Sequence, residues 1–172
     1  MDIQVLVAYA TKYGATKEIA ERIAQELGQA GLNSDVLPVD RVKDLSPYKA
    51  VVVGSAVYVG RWRKEAVKFL KSNQKSLAER KVWLFSSGPT GEGDPVELVK
   101  GWRFPKALQS VVDHIHPMDI TLFHGSVELN KLNPLHKWMI NKVEAPKGDF
   151  RDWEAIVSWA TSIADALKRS FL

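Results

Sequence analysis

The sequence predicts an α/β domain: a doubly wound, five-stranded parallel sheet of order 2-1-3-4-5, with helices on both faces. Three observations carry that expectation. Short apolar, β-branched runs alternate with stretches whose apolar residues recur at helical spacing. The strands read as continuously apolar, as strands covered on both faces do. No internal repeat, low-complexity tract or linker divides the 172 residues, which suit one domain with an added segment at about 126–147 before the last helix.

The first strand is Ile3-Gln4-Val5-Leu6-Val7-Ala8. It runs into Tyr9-Ala10-Thr11-Lys12-Tyr13-Gly14-Ala15-Thr16, a turn of hydroxyls, small residues and a glycine. The helix that follows carries Ile19, Ala20, Ile23, Ala24 and Leu27 on its inner side and stops near Gly31. Val36 to Val39 reads as a short strand, sent to a sheet edge by Pro38. After a turn at Leu45 to Tyr48, Ala50 to Val53 is a buried strand leading into Gly54-Ser55-Ala56-Val57-Tyr58-Val59-Gly60, read as a flexible loop. The next helix turns Ala66, Val67 and Leu70 inward and leaves Arg63, Lys64, Lys68 and Lys71 to solvent. Lys81 to Phe85 is a strand ending in Ser86-Ser87-Gly88-Pro89-Thr90-Gly91. Gly91 to Gly101 reads as loop, Pro105 to Ile115 as helix, and Asp119 to Phe123 as the fifth strand, closed by His124-Gly125.

The last helix is expected to start at Gly148-Asp149, capped by Asp149, and to bury Trp153, Ile156, Val157, Ala160, Ile163 and Leu167. Within the added segment, Asn133 and Pro134 mark a helix start. Leu132, Leu135, Met139 and Val143 share one face there, with Lys131, Lys137 and Lys142 elsewhere. A basic amphipathic helix of this kind suits an anionic membrane, a partner, or its own domain.

Composition narrows the chemistry. There is no cysteine, which removes disulfides, cysteine-held clusters and dithiol redox centres. Electron chemistry would therefore need a bound organic cofactor. No run of about 20 apolar residues occurs and no signal peptide is visible, so a cytoplasmic protein is expected. The net charge of +4 leans toward acidic partners without identifying one, and nothing in the chain calls for nucleic acid.

The first, third and fourth strands end in small, hydroxyl-bearing loops. In the expected sheet order these neighbour one another at the carboxyl edge, around the switch point where ligands bind. Unpaired N–H groups at the start of the first helix suit a phosphate, and Thr11 and Thr16 can add hydroxyl donors. The alternative is that either threonine merely caps the helix. The phosphate cradle of P-loop enzymes and the Gly-x-Gly-x-x-Gly fingerprint are both missing. No carboxylate pair sits at the crevice to hold a metal. His114, His116, His124 and His136 stand without ligand-like companions, so no metal site is expected and no catalytic residue is assigned.

These residues resemble the flavodoxin family. Its first-loop signature is matched in order by Val7, Tyr9, Thr11, Gly14, Thr16, Ala20 and Ile23. Ala8, Tyr13 and Ala15 depart from the commoner residues, and Ala15 weakens one phosphate contact. The resemblance implies a flavodoxin-like fold that binds FMN. Thr11, Lys12, Tyr13, Gly14, Ala15 and Thr16 would hold its phosphate. Ser55, Ala56, Val57, Tyr58, Val59, Gly60, Ser86, Ser87, Gly88, Pro89 and Thr90 would flank its ring, with Tyr58 or Trp62 stacking on it. Trp62 reads equally well as a packing residue.

Flavodoxins that shuttle electrons are acidic, whereas this chain is basic. It is more similar to the flavodoxin-like, quinone-dependent protoporphyrinogen oxidases. Gly54 to Arg63, the added segment, and Gly148-Asp149-Phe150-Arg151-Asp152-Trp153 carry that likeness. It implies an oxidoreductase passing electrons through FMN to a quinone, with a porphyrin as substrate and contact with a membrane through 131–143. Arg61, Arg63, Lys64 and Arg103 would form a rim for carboxylates, or else a solvated face. A soluble electron carrier between proteins, and a flavin-free binding module on the same fold, are the alternatives.

Overall fold

The computed structural model describes residues 3–128, 131–142 and 147–171. At its centre β1 (Gln4–Ala10) lies between β2 (Asn33–Pro38) and β3 (Ala50–Tyr58). The parallel sheet continues through β5 (Lys81–Ser87) to β6 (Asp119–Phe123), giving the order β2-β1-β3-β5-β6. This is the doubly wound arrangement expected from the alternating pattern. Strand β2 is the edge, as Pro38 requires. Val7 pairs with Val36 on one side and Val52 on the other, which places the ends of β1, β3 and β5 side by side.

Alternation along each strand divides the core between the two faces. Val5, Val7 and Tyr9 of β1 pack beneath α1 (Ala15–Gln29) and α7 (Trp153–Phe171). Leu6, Ala8 and Ala10 pack beneath α2 (Lys64–Ser72), α3 (Gln74–Ala78) and α5 (Gln109–Ile115). Burying each large apolar side chain contributes about 1.5–3 kcal/mol. Ile19, Ile23, Leu27, Ile156, Ile163 and Leu167 are all fully enclosed, so α1 and α7 are fixed by their apolar faces. Trp159, which the pattern did not single out, joins Phe85 and Phe123 in an aromatic triangle with centroids 5.5–5.9 Å apart. Gly54 passes beneath Phe85, where an added Cβ would come within 2.0 Å of the ring.

Several local expectations need correction. The stretch read as a loop after Val53 is mostly strand: β3 runs to Tyr58 and folds back as β4 (Arg61–Trp62). The turn is only Val59-Gly60, with φ of 51° and 68°, the positive pair that a tight hairpin requires. Its neighbours Val57 and Tyr58 are β-formers, and pairing with β4 satisfies their backbone. Helix α3 was not foreseen, and the stretch 91–101 holds α4 (Pro95–Leu98), where Asp94 Oδ1 accepts from Val96 N at 2.8 Å. The stretch expected to be one helix from Pro105 opens as a 3-10 turn, Lys106–Leu108, before α5.

The start of α7 also differs. Asp152, not Asp149, caps it, accepting from Ala155 N at 3.1 Å. Asp149 belongs instead to β8 (Gly148–Asp149), which pairs antiparallel with β7 (Ser126–Val127). Between them α6 (Pro134–Lys142) starts where Asn133 Oδ1 accepts from His136 N at 2.8 Å, the expected cap. No residue of α6 is buried. Leu135 is 63 % exposed and Trp138 58 %, so the foreseen apolar face does not turn inward as a unit; Val143 lies outside the described residues. Among the described residues no helix is long and apolar enough to cross a membrane.

Candidate functional site

The turn from β1 into α1 is built on Gly14. Its φ of +96° reverses the chain, and the space where a Cβ would stand is open. Thr11 Oγ1 accepts from Gly14 N at 3.0 Å and so shapes the turn. The first helical bond runs from Glu18 N to Gly14 O at 3.2 Å, which leaves the N–H groups of Ala15, Thr16 and Lys17 ahead of the helical ladder. The helix dipole adds positive potential at the same point. Thr16 is 1 % exposed, while Lys12 is exposed with its Nζ 5.6 Å from the centroid of the Tyr13 ring.

Arg151, a residue without an expected role, supports this turn from the other side. Its guanidinium donates to Ala15 O at 3.2 Å, pairs with Glu18, and bonds both oxygens of Asp149 at 2.9 and 2.7 Å. These hydrogen bonds from Arg151 hold the Asp149 carboxyl below the usual carboxylate range. Tyr13, Gly14, Ala15, Glu18, Leu132 and Arg151 line a small cavity here. The nearby Asp149-Phe150-Arg151 spacing was the available signal, since a carboxylate two residues before an arginine suits such a bidentate pair.

Aromatic rings cover the loop's outer side. Tyr13 and Tyr58 meet edge to face at 6.3 Å. His136 of α6 stacks on Tyr58 at 5.7 Å with 22° between planes, and its Nδ1 is hydrogen-bonded to the Tyr13 hydroxyl. Burial, then the charges of Lys12 and Arg63, push the His136 pKa down. Burial, then Tyr13, push the Tyr58 hydroxyl up to about 12, so it stays protonated at neutral pH. Helix α6, which has no fully buried residue, meets the loop through His136, and Asn133 N at its start donates to the Tyr13 hydroxyl at 3.5 Å.

The other two loops emerge beside the first: Ala10 pairs with Ser55, and Ser55 with Ser86. Their hydroxyls are engaged internally. Ser55 is fully buried, donates to Ala56 O at 2.9 Å and accepts from Arg63 N at 3.0 Å, closing the hairpin. Ser86 accepts from Trp62 Nε1 at 2.8 Å and donates to Arg103 O at 2.7 Å. Trp62 is thus buried, and its packing reading holds. Ser87 and Ala56 are buried, whereas Val57 and Tyr58 are half-buried and Val59 is 80 % exposed beside Gly60. Gly88 packs on Val57 and Gly125, whose Cβ would come within 2.8 Å of Gly88 O. Pro89 O accepts from Gly125 N at 2.8 Å, and Thr90 follows half-buried. His124 lies between Pro89 O and Gly93 O, at 3.1 and 2.6 Å, and fastens this loop. The foreseen basic rim divides: Arg63 pairs with Glu65 at 2.5 Å, and Arg103 lines a separate groove with Phe104 and Asp119.

The flavodoxin domain family matches residues 6–154, most of the chain, including all three loops. The chain belongs to the flavodoxin domain family. That family binds flavin mononucleotide. Over 77 residues the chain is 30% identical to the protoporphyrinogen IX dehydrogenase [quinone] of Escherichia coli, a stretch covering 44% of this chain and 42% of that protein. The chain thus matches less than half the length of this curated relative. Among solved structures, a flavodoxin from the domain Archaea superposes with a TM-score of 0.62 at 16% identity, covering 96% of this chain and 99% of its own. The rubredoxin oxygen:oxidoreductase of Desulfovibrio gigas gives 0.65 at 16% identity, covering 96% of this chain and 36% of that one. Oxidised flavodoxin 1 of Bacillus cereus gives 0.60 at 12% identity, covering 94% and 97%. At such identities the likeness is one of fold.

The flavodoxin first loop of this chain suits the phosphate of FMN. The open space at Gly14, the N–H groups ahead of the α1 ladder and the helix dipole form an anion cradle. Glu18, the acidic group in that first turn, pairs with Arg151, which it shares with Asp149. Tyr58 offers a planar face for a ring, now covered by His136.

Proposed function

We propose that this chain is an FMN-binding redox protein, one domain with 126–147 as an addition. The observation that carries this reading is the α1 turn. Its N–H groups, ahead of the helical ladder and with the helix dipole behind them, match a phosphate in charge and geometry. Thr11 shapes the turn by accepting from Gly14, Thr16 walls it, and Lys12, Tyr13 and Ala15 complete it. Bound FMN supplies one- and two-electron transfer. The protein would position the ring between Val57, Tyr58, Val59 and Gly60 of the hairpin and the backbone groups of 86–90 at and beyond the end of β5. For Ser55 and Ser86 the contribution is structural, through the hairpin and Trp62. Purified protein should carry flavin or quench the fluorescence of added FMN. Replacing Thr11 and Thr16 by glutamate should abolish that binding, and unchanged affinity would refute the cradle.

Within this reading we favour an oxidoreductase that passes electrons from a porphyrinogen to a quinone, working in the cytoplasm. Support comes from the 77-residue likeness to the E. coli enzyme and from the net charge of +4. Exposed Leu135 and Trp138 beside Lys137 and Lys142 suit contact between α6 and an anionic membrane, where a quinone would be met. An anaerobic assay with protoporphyrinogen and a menaquinone analogue tests it. Turnover is expected; flavin reduction only by a partner protein would instead indicate an electron carrier.

A further inference from the structure

We propose that the groove between α2 and the 3-10 turn before α5 is a binding site for a small amphipathic dianion. The ligand class is an elongated or flat apolar body bearing two or more anionic groups. The groove encloses about 620 Å³. Its floor is apolar, made by Trp62, Val67, Pro105 and Leu108. Its rim is cationic: Arg61, Lys64, Lys68 and Lys71 line it, and no carboxylate does. All four are exposed, and none forms an ion pair among the described residues. The acid of α2, Glu65, is held by Arg63 and lines a different groove with Asp40 and Arg41.

The spacing on α2 explains the selectivity. Lys64, Lys68 and Lys71 follow at i, i+4 and i+7, so their stems rise along one face of the helix. At about 1.5 Å per residue the outer two stand about 10 Å apart along the axis. Long lysine stems extend the apolar wall while their charged ends stay in water. A neutral apolar molecule would forgo these charges, and a compact anion such as inorganic phosphate would leave the floor uncovered. An apolar dianion satisfies both, and charge complementarity therefore selects it. Trp62, whose indole forms part of the floor, is fixed by its Nε1 hydrogen bond to Ser86 near the end of β5. The inference does not depend on flavin.

The test uses the full chain and the aromatic disulfonate bis-ANS, whose emission rises in apolar surroundings, with biphenyl dicarboxylate as competitor. Saturable binding of one equivalent, displaced by the dicarboxylate, is expected. The variant K64Q/K68Q/K71Q should weaken it at least tenfold. Ala107→Trp, which fills the groove from its exposed wall and leaves every charge in place, should weaken it similarly. Wild-type affinity in either variant would overturn the proposal. So would loss, in the lysine variant, of sedimentation with phosphatidylglycerol vesicles while bis-ANS binding persisted, since the face would then be a membrane surface. FMN fluorescence quenching, followed in the same proteins, should be unchanged, so failure of the flavin reading and failure of the groove are told apart.

Discussion

Helices α6 and α7 look alike in sequence and differ in the structure. Both carry apolar residues at helical spacing, with polar residues between them that are mostly basic in α6 and acidic or hydroxyl-bearing in α7. In α7 Ile156, Ala160, Ile163 and Leu167 are fully enclosed, and the helix is continuous with the core. In α6 nothing is buried, and attachment runs through His136 to Tyr13 and Tyr58. The difference teaches that an apolar stripe marks a helix but does not say whether a core waits for it. What decides is whether the neighbouring strand offers a matching face, as β5 and β6 do for α7 through Phe85 and Phe123.

The largest test of this contrast compares one truncation in each helix. Ile163→Ala should cost about 2–5 kcal/mol of global stability in urea denaturation, because it opens a cavity in a closed core. Leu135→Ala, on a side chain already 63 % exposed, should stay within about 0.5 kcal/mol. Equal losses would erase the distinction.

The hairpin next to α6 supplies the second test. Val59 is a β-branched residue at φ 51°, a conformation suited to asparagine or glycine, and it is 80 % exposed. Val59→Asn should raise stability by about 1 kcal/mol through relief of backbone strain. A destabilised variant would mean that the valine packs where it stands.

A smaller global effect is expected from His136→Ala, less than about 1 kcal/mol in the urea midpoint energy. Its consequence should be local, with faster amide exchange confined to 131–142 while α7 is unchanged. Protection retained in α6 would show that contacts other than the histidine hold it.

Acidification should mimic this variant. The folded-state pKa of His136 lies below its ordinary value of 6.5, so the unfastened segment takes up a proton first. The contact is at full strength above about 6.5 and is lost as pH falls through the lower folded value. Protonated His136 would also face Lys12 and Arg63. Protection of α6 amides, taken relative to the intrinsic exchange rate at each pH, should therefore fall below pH 6.5, while protection of α7 stays constant in that range.

The sheet order was legible because β1, β3 and β5 are apolar on both faces, and only a parallel sheet clad in helices buries such strands. The first loop was legible because Thr11, Gly14 and Thr16 sit where a strand must turn into a helix. The hairpin at Val59-Gly60 was not, because glycine and serine before it imitate a loop and valine is a poor turn residue. Arg151 has one local partner, Asp149, but its role at the first loop was missed because Glu18 and Ala15 O are remote in sequence and brought close by the fold. The capping role passed from Asp149 to Asp152 for the same reason: pairing of β7 with β8 claims Asp149 first.

Ser55 and Ser86 stand at the mouth of the candidate cleft with hydroxyls already spoken for. An alanine scan that finds cofactor lost at Ser55 would be recording a hairpin that has come unlatched. The damage would then travel: Arg63 N would lose its acceptor, the segment bearing Trp62 would loosen, and the neighbouring cationic trough would change shape with it.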